Sequence, residues 1–348
     1  MRILRDSEFA ELKDVAGSPA PSFFSLPDWY ALIARHGLET GWQARVYADD
    51  AGRAALVCAV PAEGQAREVR GCINPYTCEY DWLGGSPDAV RTTAAAMARA
   101  DNQTHSILLP GLDPKAESFA ATLAGLRDAG FAAKSYFAWG TWYEPVQGVD
   151  FQAYLSARPS VLQNTWRRKS AALQKAHRIA FETSSDVETF IRAYDDVYAR
   201  SWKEPEPFVD FMPALLRIAA ALGALRHGVL MADEKPIAAQ FWIVWQGQAI
   251  IFKLAYDKDW NKFSPGTVLT MHMAQQVLEK DRVRELNFGR GDDDYKKLWM
   301  SQRRERWGIE AVNPRSAAGF ARALKISAAR VRDRLRGDRR TSSSDAMR

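Results

Sequence analysis

The chain has 348 residues, of which 47% are hydrophobic, 26% charged and 11% aromatic, a profile that excludes a disordered, fibrous or disulfide-stapled protein. The formal net charge of +5 is uneven: residues 315–348 hold ten Arg or Lys against three Asp, a local +7, so the other 314 residues sum to −2. The body therefore needs no surface for gripping nucleic acid, and the cationic surplus sits in one terminal segment.

The start, MRILRDSEFAELKD, has neither the apolar run nor the small-residue cleavage site of a secretory signal. No apolar stretch reaches the ~18 residues of a membrane-spanning helix. Cys58, Cys72 and Cys78 form no CxxC pair, which points to reduced thiols in a cytoplasmic protein without a disulfide framework or metal site. Residues 23–36 read as a short helix. Extended segments follow at Trp42–Ala48, Ala54–Val60 and Ala66–Ile73, separated by hairpin-type connections. Ala89–Ala100 and Lys115–Ala129 are helical in pattern, and His105–Leu109 and Phe131–Tyr143 extended.

From Asp150 the pattern restarts. Phe151–Leu155, Val161–His177, Asp186–Trp202 and Met212–Leu222 read as helices. Leu225–Ala232, Pro236–Trp245 and Gln248–Tyr256 read as an antiparallel meander with tight turns at Glu234-Lys235 and Gln246-Gly247. A helix over Thr267–Lys280 and a strand over Arg284–Phe288 complete it. Both halves thus run helix, antiparallel strands, helix, strand, which predicts an α/β (α+β) fold of two similar domains, 1–149 and 150–314, followed by a basic segment, 315–348.

Two junctions carry chemistry. Ser264-Pro265-Gly266-Thr267, running on into Val268, opens a helix directly after a strand and a polar loop. Amides of a first helical turn, with the positive end of the helix dipole, suit a phosphate or pyrophosphate. A Ser-capped helix start with Pro in its first turn gives the same sequence without a ligand. The second junction is Leu286-Asn287-Phe288-Gly289-Arg290-Gly291-Asp292-Asp293-Asp294-Tyr295-Lys296-Lys297-Leu298-Trp299. Here a buried strand runs into a glycine-flanked turn that presents acids, a phenol and an ammonium.

The meander, the SPGT helix start and FGRGDDDYKKLW together resemble the CelD-like (BioF-associated) acyltransferases of the GNAT superfamily, with a phosphate-binding PG turn and an FGxGxxxYKxxW signature. The basic segment Leu162–Ile179 resembles the helix that precedes such domains, and the whole chain is similar to the tandem layout of the Fem peptidyltransferases. The likeness is carried by residues 151–312. It implies tandem GNAT-like domains, each a mixed, mainly antiparallel sheet flanked by helices, the first degenerate and the second catalytic.

The resemblance implies transfer of an acyl group from acyl-CoA, a co-substrate and not a resident cofactor, to an amine. Oxyanion and donor contacts fall to the backbone of Lys253, Leu254 and Ala255 and to Ser264, Pro265, Gly266, Thr267 and Val268. Tyr295 is the expected acid for the departing thiolate, and Asp292, His272 or Glu204 the expected acceptor of the amine proton. Phe320, Leu324, Val331 and Leu335 recur at helical spacing among five arginines, so residues 316–340 suit peripheral contact with an anionic membrane. A lipid amine follows as acceptor. Within the resembling group the bacterial ceramide synthases point to a long-chain sphingoid base and sphingolipid biosynthesis, at the inner face of the cell membrane. An amino sugar of exopolysaccharide or capsule, or Fem-like aminoacyl transfer, are the alternatives, and no nucleic acid is expected for the leading reading.

Overall fold

The structure, a computed structural model, describes residues 1–322 apart from 17–19, 65–66, 102, 318 and 321. Leu324, Val331, Leu335 and most of the arginines of the expected terminal helix lie outside the described residues. The chain forms two compact units, one of Met1–Ala138 with Glu305–Arg348 and one of Trp139–Arg304.

The first unit contains β1 (Arg2–Arg5), α1 (Leu12–Ala16), α2 (Pro27–His36), β2 (Trp42–Ala48), β3 (Ala54–Pro61), β4 (Glu68–Gly71), β5 (Leu83–Gly84), α3 (Pro87–Arg99), β6 (Ser106–Leu112) and α4 (Glu117–Asp128). After them β7 (Ala132–Pro145) runs on into the second unit. Pro27 at the first turn of α2 suits its fixed φ, and Trp29, Tyr30, Leu32 and Ile33 turn that helix's apolar stripe into the core. The uninterrupted apolar run Ala54–Val60 is what a strand covered on both faces requires, and β3 is buried along that length. Cys58, Cys72 and Cys78 are free and buried. Burial raises the Cys58 thiol to about 12, so it is protonated and inert at neutral pH.

The second unit contains α5 (Phe151–Ser156), α6 (Ser160–Ala176), β8 (Ile179–Glu182), α7 (Val187–Ala199), α8 (Phe211–Ala221), β9 (Leu225–Ala232), β10 (Lys235–Trp245), β11 (Gln248–Tyr256), α9 (Pro265–Gln276) and β12 (Glu285–Asn287). A last strand, β13 (Gln302–Val312), crosses back to the first unit. The meander is present, with its first turn one residue earlier than expected. Asp233-Glu234 and Gln246-Gly247 all have positive φ, the backbone that two-residue hairpins need.

Each unit is a mostly antiparallel sheet flanked by helices. The orders are β1-β2-β3-β4-β6-β13 in the first and β8-β9-β10-β11-β12-β7 in the second. Each has one parallel pair, β4 with β6 and β11 with β12. In both, the strand beside that pair comes from elsewhere in the chain: β13 pairs β6 through Trp307–Val312, and β7 pairs β12 through Tyr143–Pro145. These pairings explain why the units do not divide at 149/150 and 314/315. The end of β7 is stitched into the second sheet, and most of β13 into the first.

Two adjacent β10 residues fix what lies on each face of the second sheet. Gln240 Oε1 accepts a hydrogen bond from Thr270 Oγ1 of α9, and Phe241 packs its ring 5.7 Å from Tyr194 of α7. Neighbouring side chains on a strand point to opposite faces, so α9 covers one face and α7 the other.

Candidate active site

Parallel pairing sends β11 and β12 toward the same end, but they stay together for only three residue pairs, Gln248 with Glu285 to Ile250 with Asn287. From Ile251 to Tyr256 β11 has no strand on that side. Its backbone, including Lys253, Leu254 and Ala255, therefore borders a gap beyond the carboxyl end of β12, the end of a strand where ligands are received. A register shift between Phe241 and Trp242 bends the neighbouring β10 beside it.

The loop that follows β11 is fastened down. Asp257 is 1% exposed and accepts from the Asp259 amide at 3.0 Å and from Lys235 at 3.1 Å, and it pairs with Arg200. Burial pushes its carboxyl up, but those hydrogen bonds and the Arg200 charge outweigh burial and hold it below the usual range. This fastening delivers Ser264 in a left-handed conformation (φ 50°), from which its side chain makes no cap. The cradle is narrower than the sequence suggests. Pro265 has no N–H, and the Thr267 and Val268 amides both donate to the Ser264 carbonyl, at 3.0 and 3.2 Å. Among the described residues the Gly266 amide has no backbone acceptor. It lies against the strand end: a Cβ there would fall 3.0 Å from Leu254 Cδ2 and 3.1 Å from Tyr256 Cδ1.

The signature after β12 is chiefly a scaffold. Gly289 (φ 65°) and Gly291 (φ 111°) make the turn, and the Gly289 amide donates to Asn287 Oδ1 at 2.8 Å. Buried Lys296 donates to the carbonyls of Arg290 and Gly291 at 2.9 and 3.2 Å. Trp299 closes the motif against Phe288, and its carbonyl accepts from Arg158 at 2.6 Å. What this frame presents is Tyr295, 53% exposed, with its ring edge-on to Phe288 at 5.6 Å. Burial first and the charge of Asp293 second raise its hydroxyl to about 12, so it keeps its proton at neutral pH.

Asp292 is not suited to accept a proton. Its Oδ1 accepts from Trp142 Nε1 at 2.8 Å, and both oxygens accept from the Arg303 guanidinium, the shortest contact 2.7 Å. The Arg303 hydrogen bonds, foremost, lower its pKa. Gly140 makes room for this pair, since a Cβ there would lie 2.8 Å from Arg303 Nε and 2.9 Å from Asp292 Cγ. His272 is displaced as well: it lies on the flank of α9, stacked on Phe181 of β8 at 3.9 Å, and lines a cavity of about 170 Å³ with Trp166, Ser170 and Gln275. Burial, and then the charge of Lys280, lowers its pKa. Val268 lines the same cavity, so its side chain faces α6 and not the strand end.

Glu204 is exposed, and its carbonyl accepts from Tyr198 Oη at 2.6 Å. Its carboxylate has no ion pair among the described residues. Lys253 pairs through its side chain with Glu206 at 2.6 Å. Sequence reasoning missed Glu206, Trp142 and Arg303 as partners. The proline-punctuated WKEPEP stretch offered both glutamates, but only the fold shows which one meets β11. Among the described residues no group of three or more His, Cys, Asp or Glu side chains is gathered as a metal site.

A helix start beside a strand that runs on past its parallel partner, with a protonated phenol following that partner, leaves room for a ligand at this end of the sheet. Residues 160–297 match the acetyltransferase (GNAT) domain family, and the chain is an acyltransferase. No curated protein matches the chain. Among solved structures it is similar to FemX, with 11% identity over 90% of this chain and 98% of that one (TM-score 0.60). It is also similar to the C-terminal domain of a putative lysylphosphatidylglycerol synthetase from Agrobacterium fabrum, with 15% identity over 93% and 96% of the two chains (TM-score 0.56). A third is L-PGS from Bacillus licheniformis, with 11% identity over 84% and 94% (TM-score 0.51). At these identities the likeness is one of fold.

Proposed function

We propose that this chain is an N-acyltransferase with one active site, in the second unit, which moves an acyl group from acyl-CoA to an amine. The observation that carries the reading is the run of β11 past the end of β12, beside the uncapped start of α9. A thioester laid in that gap has its phosphates at the Gly266 amide and the positive helix end, and its carbonyl against the backbone of Lys253–Ala255. The amine attacks the carbonyl carbon, the carbon–sulfur bond breaks, and Tyr295 gives its proton to the departing thiolate. Glu204, whose exposed carboxylate has no ion pair among the described residues, takes the proton of the amine through water. The test is mass spectrometry of products, with release of free thiol, after incubation with acetyl-CoA or palmitoyl-CoA and a panel of amines. N-acylated amine with stoichiometric thiol supports the reading, and no thiol from either donor overturns it.

A second reading is aminoacyl transfer from a tRNA ester. It is favoured by the exposed Arg167 and Arg168 on α6, which have no carboxylate partner among the described residues, and by Lys169 of the same helix, which donates to the Lys262 carbonyl just ahead of α9. Product from aminoacyl-tRNA without thiol release would favour it. The sphingoid-base acceptor and the membrane role rest on residues 316–340, most of them outside the described residues. Among the described residues no helix is long and apolar enough to cross a membrane. Removal of 316–348 is expected to weaken binding to anionic liposomes, and unchanged binding would end the proposal of peripheral contact at the inner membrane face.

A further inference from the structure

The loop between α7 and α8 carries a group of side chains that the donor site does not use. Trp202 is 52% exposed, and its ring lies tilted against that of Tyr256, the last residue of β11, with centroids 4.2 Å apart. Lys203 Nζ lies 5.7 Å from the Trp202 ring and 5.9 Å from that of Tyr198. Beside it Lys253 and Glu206 form their 2.6 Å pair, with side-chain exposures of 18% and 15%. Two ammoniums therefore share one carboxylate, and Lys203 has no ion pair among the described residues. Burial, then repulsion from Lys253, pulls the Lys203 ammonium down to about 8, and Glu206 offsets this only in part. A half-buried cation without a counter-ion is costly to keep, and an anionic ligand would supply what is missing.

The face of the sheet decides which substrate that ligand belongs to. Lys253 sits opposite Phe241, whose ring packs on α7, whereas Leu254 sits opposite Gln240, which is bonded to α9. Cross-strand partners share a face, so Lys253 lies on the α7 side and the donor's helix on the other. We propose that Lys203 and Lys253, with Trp202 as a flanking ring, hold an anionic group, carboxylate or phosphate, on the acceptor amine. This rests on the reading of the α9 start as the donor site. It also sets the acceptor apart from a sphingoid base, which carries no such group.

The test uses the full chain with matched amines: phenylalanine against phenethylamine for carboxylate, and phosphoethanolamine against ethanolamine for phosphate. The wild type is expected to favour the charged member of at least one pair by about tenfold or more in kcat/KM, the scale of one charge-assisted contact. Lys203→Gln should collapse that ratio through KM, and Lys203→Arg should restore most of it. Equal use of charged and neutral amines by the wild type, or a ratio unmoved in Lys203→Gln, overturns the proposal. Binding of inorganic phosphate or acetate without donor, read by tryptophan fluorescence in the Gly266→Asp background so that the donor site does not take the anion, separates the two claims. Binding lost in Lys203→Gln supports the subsite even if no thioester reacts, and equal or absent binding in both proteins overturns it whatever the turnover.

Discussion

The two units open their central helices with the same dipeptide and finish them differently. In the first, Ser86-Pro87-Asp88-Ala89 starts α3. Ser86 accepts from the Ala89 amide at 3.3 Å, and Asp88 places a negative charge in the first turn. In the second, Ser264-Pro265-Gly266-Thr267 starts α9 from a left-handed serine that makes no cap, with no acid in its first turn. One helix start carries a serine side-chain cap and an acid, and the other carries neither. The glycines ahead of α3 reinforce the contrast, because a Cβ at Gly85 would fall 2.5 Å from Ala54 Cβ and one at Gly84 2.6 Å from the Arg53 carbonyl oxygen. That approach is packed shut. A serine-proline helix start is thus not a site in itself; the charge in its first turn and the space in front of it decide.

The contrast can be broken most severely by making the second helix start resemble the first. Gly266→Asp is expected to raise KM for acyl-CoA on the order of a hundredfold, because it sets a carboxylate against the donor's phosphates. Gly266→Ala, whose Cβ would meet Leu254 Cδ2 and the Tyr256 ring but adds no charge, should cost much less in the same assay. Next in size, Tyr295→Phe should lower kcat by about a hundredfold with little change in KM, the usual scale for loss of a general acid. A pre-steady-state burst with unchanged kcat would remove it from the proton path.

A third prediction concerns acid. Burial holds His227 of the second unit down to about 4, beneath the Phe190 ring at 4.3 Å. An unfolded histidine titrates near ~6.5, so between these values the unfolded chain binds more protons than the folded one. The stabilising contribution is full above ~6.5 and is lost as pH falls toward 4, and melting temperatures of the wild type should drop over that window more steeply than those of His227→Phe. The smallest effect sharpens the comparison directly. Ser86→Ala should cost about 1 kcal/mol of stability through the lost cap without changing turnover, while Ser264→Ala should cost only a few tenths. Equal losses in denaturant titrations would mean that the two helix starts are not different after all.

Much of this was legible from residues alone. The meander, the helix after Ser264 and the glycine turn after Phe288 are local patterns, set by alternation, proline and positive φ. What was not legible depends on distant partners. Asp292 reads as an acid at a strand end, but Trp142, 150 residues earlier, and Arg303, 11 residues later, occupy its oxygens. His272 reads as a base on the donor helix, yet the rotation of α9 turns it toward Phe181. The strand β13 escaped because it opens on Gln302, Arg303 and Arg304, which are exposed or half-buried, and Glu305, Arg306 and Glu310 interrupt its apolar residues. Lys203 was passed over because nothing in WKEPEP tells that its neighbour across the fold is a second lysine.

The most direct measurement is a calorimetric titration of the full chain with an unreactive thioether analogue of acyl-CoA. The account predicts one site per chain, lost in Gly266→Asp and kept in Asp88→Gly. Two sites, no binding, or binding that survives Gly266→Asp would contradict it.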